Sequence, residues 1–247
     1  MKRTVTQAIE HRRSVRIFKN ENIDSDKVKK CIINATLAPN SSNLQTWEFY
    51  HVTNKTVLDS ITKACFNQNA AKTANQIVVF VVRKDLWRKR AKANIDFLNS
   101  VFDKKTGRNT EKNRKLALNY YKVAIPTMYT SFFGILGFLR YIFFQTVGIF
   151  RPIFREVRLS DIRIVSHKST ALAAQNFMLS MAEIGYDTCP MEGSDTSRIK
   201  KILNLPSSAE INMVIGCELE MKREFIVKDI GFLLSRSIKK LNKKILY

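Results

Sequence analysis

Six consecutive residues, Ile77 to Val82, are apolar and nearly all β-branched. A run of that kind suits a strand in a sheet that is covered, because no side chain in it is made to face water. Trp47 to Val52 reads the same way, and Ile211 to Cys217 is the last clear strand. Around these runs the periodicity changes to helical. Ser25 is placed to cap a helix in which Val28, Cys31, Ile32 and Ala35 recur at helical spacing, with Pro39 marking its end. Asn54 precedes a second, with Leu58, Ile61 and Cys65 on one face. Ser166 to Ile184 forms a third, whose broad apolar face includes Ala174, Phe177 and Met181, and Gly185 is well placed to stop it. A short helix after Asp195 buries Ile199, Ile202 and Leu203.

Between the second and third runs the pattern breaks. Residues 83 to 122 are dominated by charge and read as exposed helices joined by the turn at Lys104 to Gly107. Ala124 to Phe150 is then strongly apolar and aromatic, with Arg140 its only charged residue. No repeat, Gly-Ser linker or low-complexity block interrupts the chain. The simplest organisation is a single domain over residues 1–247, with a helical and apolar insertion at 84–160.

Composition excludes some classes and leaves others open. With 45% hydrophobic residues the chain can bury a core, so a disordered basic tail is out. Its formal charge of +21 fits nucleic acid, an anionic membrane surface or an anionic small molecule. The four cysteines form no C-x-x-C pair and no disulfide framework, which points to a reducing compartment, and the N-terminus lacks the apolar core of a secretory signal. A cytoplasmic location is expected. Neither a dinucleotide-binding glycine motif nor a P-loop or serine-hydrolase elbow occurs, and His11, His51 and His167 have no metal-ligand spacing, so no metal is expected.

Three polar clusters carry the remaining signal. In HRRSVRIF, the guanidinium forks of Arg12, Arg13 and Arg16 stand beside the Ser14 hydroxyl, the donor set a phosphate monoester requires. A solvated basic helix end would look the same. APNSSNLQTWEF crowds Asn40, Ser41, Ser42, Asn43 and Gln45 between Pro39 and a strand, enough donors and acceptors to read the edge of a heterocycle or merely to satisfy a turn. GYDTCPMEGSD places Pro190 and Gly193 where backbone N–H groups can approach a planar ligand, while Cys189 has no paired base and reads as a small apolar filler.

Taken together and in order, RRSVRIF, APNSSNLQTWEF and ALAAQNFMLSMAEIGYDTCPMEG resemble the nitroreductase family of FMN-dependent flavoproteins, over residues 4–82 and about 165–225. The resemblance implies an α+β fold, a central and mainly antiparallel sheet flanked by helices, in an intertwined homodimer with FMN at the subunit interface. It implies that Arg12 and Ser14, with Arg13 beside them, hold the FMN phosphate and that Arg16 lies near the N1/O2 edge, where reduction places negative charge. Pro39, Asn40, Ser41 and Asn43 would reach the flavin from the partner subunit. Asn67 would meet the pyrimidine side, with Gln68 and Asn69 as competitors. Pro190, Met191, Glu192 and Gly193 would lie beside N5, and Arg223, or else Lys222, would close on the phosphate. Thr46 and Ser194 depart from the family pattern, which often has Pro and Phe there.

The activity so implied is a ping-pong hydride relay from NADH or NADPH through flavin N5 to nitroaromatic, quinone or related conjugated acceptors. Stacking and distance supply its catalysis, so the absence of a triad is expected. For the apolar insertion three readings stand: a lid or dimer-packing hairpin, a transmembrane span, and a helix pair at the inner membrane interface favoured by Lys122, Arg151 and Arg155. The alternative from another class is a basic protein that binds nucleic acid or anionic membranes through its charge, its flavin pocket vestigial. Scattered cations without interleaved aromatics disfavour nucleic acid.

Overall fold

The computed structural model describes residues 2–19, 21–107, 109–130 and 135–221. The N-terminal helix α1 (Val5–His11) starts at a capping box, Thr4 accepting from the Gln7 N–H and Gln7 closing back on the Thr4 N–H. In α2 (Ser25–Ala35) the cap is Asp24, not Ser25. The Asp24 carboxylate accepts from the N–H groups of Asp26 and Lys27, as suits an anion at a helix N-terminus, and the Ser25 hydroxyl instead takes a hydrogen bond from Gln76. Strand β1 (Trp47–Val52) follows a 3-10 turn at Ser41–Asn43. Then come α3 (Lys55–Ala64), capped by Asn54 as expected, α4 (Asn69–Thr73) and β2 (Gln76–Val82).

The segment that leaves β2 holds α5 (Trp87–Phe102), α6 (Thr110–Asn119), a π-helical stretch at Tyr120–Ala124, α7 (Ile125–Tyr129) and α8 (Ile135–Phe150). The chain returns through α9 (Leu159–Glu183), β3 (Asp187–Met191), α10 (Thr196–Ile202) and β4 (Glu210–Glu218). Helix α9 starts well before Ser166, because the Asp161 carboxylate receives the Arg158 N–H at 2.9 Å and closes its first turn. It ends where expected, with Gly185 at φ +88°, a conformation an L side chain rarely adopts.

The strands form one antiparallel sheet in the order β1-β2-β4-β3. Every residue of β2 is buried, and the alternation of its side chains divides the core in two. Ile77, Val79 and Val81 face α3, α4 and α10 together with Leu58, Ile61 and Ile199. Val78 and Phe80 face α2 and α9 together with Val28, Phe177 and Met181. Both faces are covered, which is what the unbroken apolar run of β2 requires. Gly216 of β4 permits the close approach of α4: a Cβ there would lie 2.7 Å from the Ala70 carbonyl oxygen. A bulge between β2 and β4 at Phe80/Val81 leaves Asn212 out of the ladder, and its amide donates to the His167 carbonyl.

β3 is the one strand the sequence pattern does not signal. It is an edge strand, where Pro190 costs little, and the N-terminal segment runs beside it through a parallel bridge from Ser14 to Thr188.

The apolar stretch expected as one block is divided between α7 and α8. Among the described residues no helix is long and apolar enough to cross a membrane. Arg140, its only charged residue, is 8% exposed and donates to the carbonyls of Val157 and Thr127, tying α8 to the chain on either side. The tail from Lys228 to Tyr247, whose sequence mixes Ile230, Phe232, Leu233, Ile238 and Leu241 with mostly basic residues, lies outside the described residues.

Candidate active site

Two of the three polar clusters meet at β3. Val15 donates its N–H to the Thr188 carbonyl at 3.1 Å, and this bridge sets Arg12 and Arg16 close enough to Cys189 to act on its thiol. Burial pushes that thiol up, and the two cations offset the rise only in part. A thiol so held stays protonated and packs against the core, as expected of a filler. Arg12 is half-buried, while Arg13, Ser14 and Arg16 are exposed. Among the described residues no carboxylate pairs with any of the three arginines, and their only side-chain hydrogen bond runs from Arg13 Nη1 to the Arg12 carbonyl at 2.8 Å. Three guanidiniums without an acid make a receptive place for an anion.

From the other side comes the turn after α3. Gln68 Nε2 donates to the Gly193 carbonyl at 2.6 Å, and the Asp195 N–H donates to the Ala64 carbonyl at 2.7 Å. These two bonds fasten residues 64–69 to the loop that follows β3. In the same turn Phe66 and Asn67 have φ of 56° and 54°, and Phe66 is two-thirds exposed. Left-handed backbone at a phenylalanine is a true outlier, and an exposed aromatic held that way beside a polar loop makes Phe66 a candidate for the site. Composition gives no hint of Phe66. The side chains of Asn67 and Asn69 and the N–H groups of Glu192 and Gly193 take no partner among the described residues. Met191 is buried under the same loop, and Pro190 is partly so.

The third cluster stands apart. Asn40 Oδ1 accepts the Gln45 N–H at 2.9 Å, the Ser41 N–H donates to Ser169 of α9, and Asn43 donates to Asn94 of α5 at 3.0 Å. The Ser42 hydroxyl meets Tyr120 at 2.6 Å, and Tyr121 donates to the Ser42 carbonyl at 3.0 Å. Residues 120–124 are π-helical, a distortion that recurs at functional sites. Ser42, Asn43 and Gln45 all have positive φ, so this loop and the Phe66–Asn67 turn hold five of the six such non-glycine residues among those described. No hydrogen bond among the described residues joins the loop at Pro39–Asn43 to the β3 cluster within one chain. Arg223 and Lys222 lie outside the described residues.

The histidines are otherwise committed. His51 meets Gln76 at 2.7 Å, and His167 meets Glu210 at 3.1 Å. A cleft lined by Arg3, His11, Lys19, Asp187 and Glu220 holds the His11–Asp187 pair and none of the residues expected to touch a flavin.

The class so defined is an α+β protein with an antiparallel sheet between helical layers and an acid-free arginine segment at one sheet edge. The chain belongs to the nitroreductase family, whose profile matches residues 9–217. It is 24% identical to protein DrgA of Synechocystis over 85% of this chain and 80% of that one. It is 26% identical to a Staphylococcus haemolyticus protein named "Putative NAD(P)H nitroreductase", over 87% of this chain and 83% of its relative. Among solved structures, an Exiguobacterium sibiricum protein in complex with FMN shares the fold with a TM-score of 0.61 at 17% identity, covering 91% of this chain and 93% of that one.

Proposed function

We propose that the chain is an FMN-dependent NAD(P)H oxidoreductase that acts as a homodimer on nitroaromatic, quinone or related conjugated acceptors. The observation that carries this reading is the convergence on β3 of arginines that have no acid partner among the described residues with the Asn67–Asn69 and Pro190–Gly193 loops. Arg12, Arg13 and Ser14 suit a phosphate monoester, since each guanidinium offers a fork of donors to its oxygens. Arg16 supplies positive charge near the edge of the ring system that gains negative charge. The unpartnered N–H groups of Glu192 and Gly193 can donate to a ring nitrogen, and Asn67 can pair with the pyrimidine edge. The loop of Pro39, Asn40, Ser41 and Asn43 is tied to α9 through Ser41 and to α5 through Asn43, has no hydrogen bond to the β3 cluster among the described residues, and would complete the site from a second copy of the chain.

Held by Arg12, Arg13 and Ser14 at its phosphate and by Arg16, Asn67 and the Glu192 and Gly193 N–H groups at its ring, FMN would supply the redox chemistry, a hydride relay between NAD(P)H and the acceptor. The protein's part is binding, orientation and charge. No general base is required, and the histidines engaged with Gln76 and Glu210 are in keeping with that. Initial rates measured over a grid of NADPH and quinone concentrations test the order of events. Parallel double-reciprocal lines are expected, and intersecting lines would rule out exchange of donor and acceptor at one shared place.

A further inference from the structure

Helix α8 is turned inside out. Its inward side carries Gly137 and the buried Arg140, whereas Phe138, Leu139, Ile142, Phe143, Ile149 and Phe150 are 47% to 83% exposed. In a helix that rests on a protein core and faces water the distribution is the opposite. Among the described residues nothing covers this face, which is far more contiguous than the scattered apolar residues of an ordinary surface.

The charge around it narrows what can cover it. Residues 84–160 contain sixteen basic and five acidic residues, so this segment supplies more than half of the molecule's net charge of +21. Arg151, Arg155 and Arg158 follow α8 directly and are exposed, with Arg158 stacked at 3.6 Å over the ring of Tyr141 on the helix itself. A second copy docked through the same face would bring like charges together. A surface of anionic lipid would meet the apolar side chains with its acyl region and the arginines with its phosphates. Sixteen residues give a helix of about 24 Å, too short to span a bilayer core but ample to lie along its surface.

We propose that α8 is a membrane-docking element that lies in the headgroup region of an anionic bilayer, its outward apolar face buried in lipid. The proposal does not depend on flavin binding.

Flotation of the full chain with vesicles tests it, comparing phosphatidylcholine alone with phosphatidylcholine containing phosphatidylglycerol. The wild type is expected to float with the anionic vesicles and not with the neutral ones. The double variant Leu139→Glu, Ile142→Glu, changed only at exposed positions, is expected to lose about tenfold in floated fraction while its sedimentation coefficient stays the same. A separate Phe143→Trp variant is expected to shift its emission to the blue, relative to the wild type, only when anionic vesicles are added, a readout that does not rely on the double variant folding. The proposal fails if the wild type floats with neither vesicle, or if the double variant floats as well as the wild type, which would leave adsorption to charge alone. It fails equally if the emission of the Phe143→Trp variant ignores the vesicles, or if the double variant changes sedimentation coefficient, which would give the face to a second copy.

Discussion

At the scale of single residues the candidate site is defined by what its side chains lack. Arg12, Arg13 and Arg16 stand without a carboxylate among the described residues, on a protein in which other arginines, such as Arg83 between Glu48 and Asp85, are fully engaged. Arg12→Ala should weaken FMN binding by about 1.5 to 3 kcal/mol, the range for a lost charged hydrogen bond. Fluorescence titration of the apoprotein with FMN measures this, and an unchanged affinity would remove Arg12 from the phosphate site. The donors and cations can be listed from the sequence because their chemistry is local, but a solvated basic helix end offers the same set, and it takes the fold to show that no carboxylate among the described residues pairs with them. What could not be read was conformation. Phe66 gives no compositional sign that its backbone is left-handed, since the turn is imposed by hydrogen bonds from Asn67 to the Thr62 carbonyl and from Gln68 to Gly193. Asn67 led its neighbours Gln68 and Asn69 as the amide expected at the ring, and Gln68 is the one of the three whose side chain is committed, to the Gly193 carbonyl.

At the scale of elements, one carboxylate joins both ends of the segment between β2 and α9. Glu210, at the start of β4, takes Lys84 at 2.8 Å as the chain leaves the sheet, and Arg163 and His167 where it returns. Burial alone would raise the Glu210 carboxyl, but hydrogen bonds from Lys84, His167 and Arg163 outweigh it and bring it down to about 2. Its folded pKa therefore lies below the ordinary 4.5, so its contribution to stability is complete above pH 4.5 and is lost as the pH falls toward 2. Allowing for solvent at the half-exposed Arg163, that contribution is on the order of 2 kcal/mol. Urea unfolding at pH 6 and pH 3 should show a stability difference that shrinks by about this amount in Glu210→Gln; an identical pH dependence in the variant would contradict the clamp. Arg140 has a comparable role inside the segment. Replacing it with Met leaves the Val157 and Thr127 carbonyls without their donor, at about 1 to 3 kcal/mol of local opening. Amide exchange should quicken in α7 and α8 and stay unchanged in β2, whereas uniform quickening would mean that the segment unfolds only with the whole domain. Most elements were legible because periodicity and caps are local signals, as at Asn54 and Asp195. β3 was not, because its stability comes from pairing with β4 and from the N-terminal bridge, and its sequence contains a proline.

At the scale of the whole molecule, the order of three short motifs was enough to indicate the family, and the profile match over residues 9–217 bears this out. Chain length and composition could not have done so, because a charge of +21 suits several classes of partner. The reason is physical: the motifs matter through their convergence, which needs the sheet to bring residues 12–16, 67–69 and 190–193 to one edge. Among the described residues no hydrogen bond joins the loop at Pro39–Asn43 to them within a single chain, which is why the proposed site takes that loop from a second copy. The visible absorption spectrum of the purified protein, followed during anaerobic addition of NADH or NADPH, tests this most directly. Flavin bands equivalent to one FMN per chain, bleached by the nucleotide, are the expected result. Protein that is colourless, and stays so after incubation with FMN and removal of the excess, would contradict the flavin site and everything built on it.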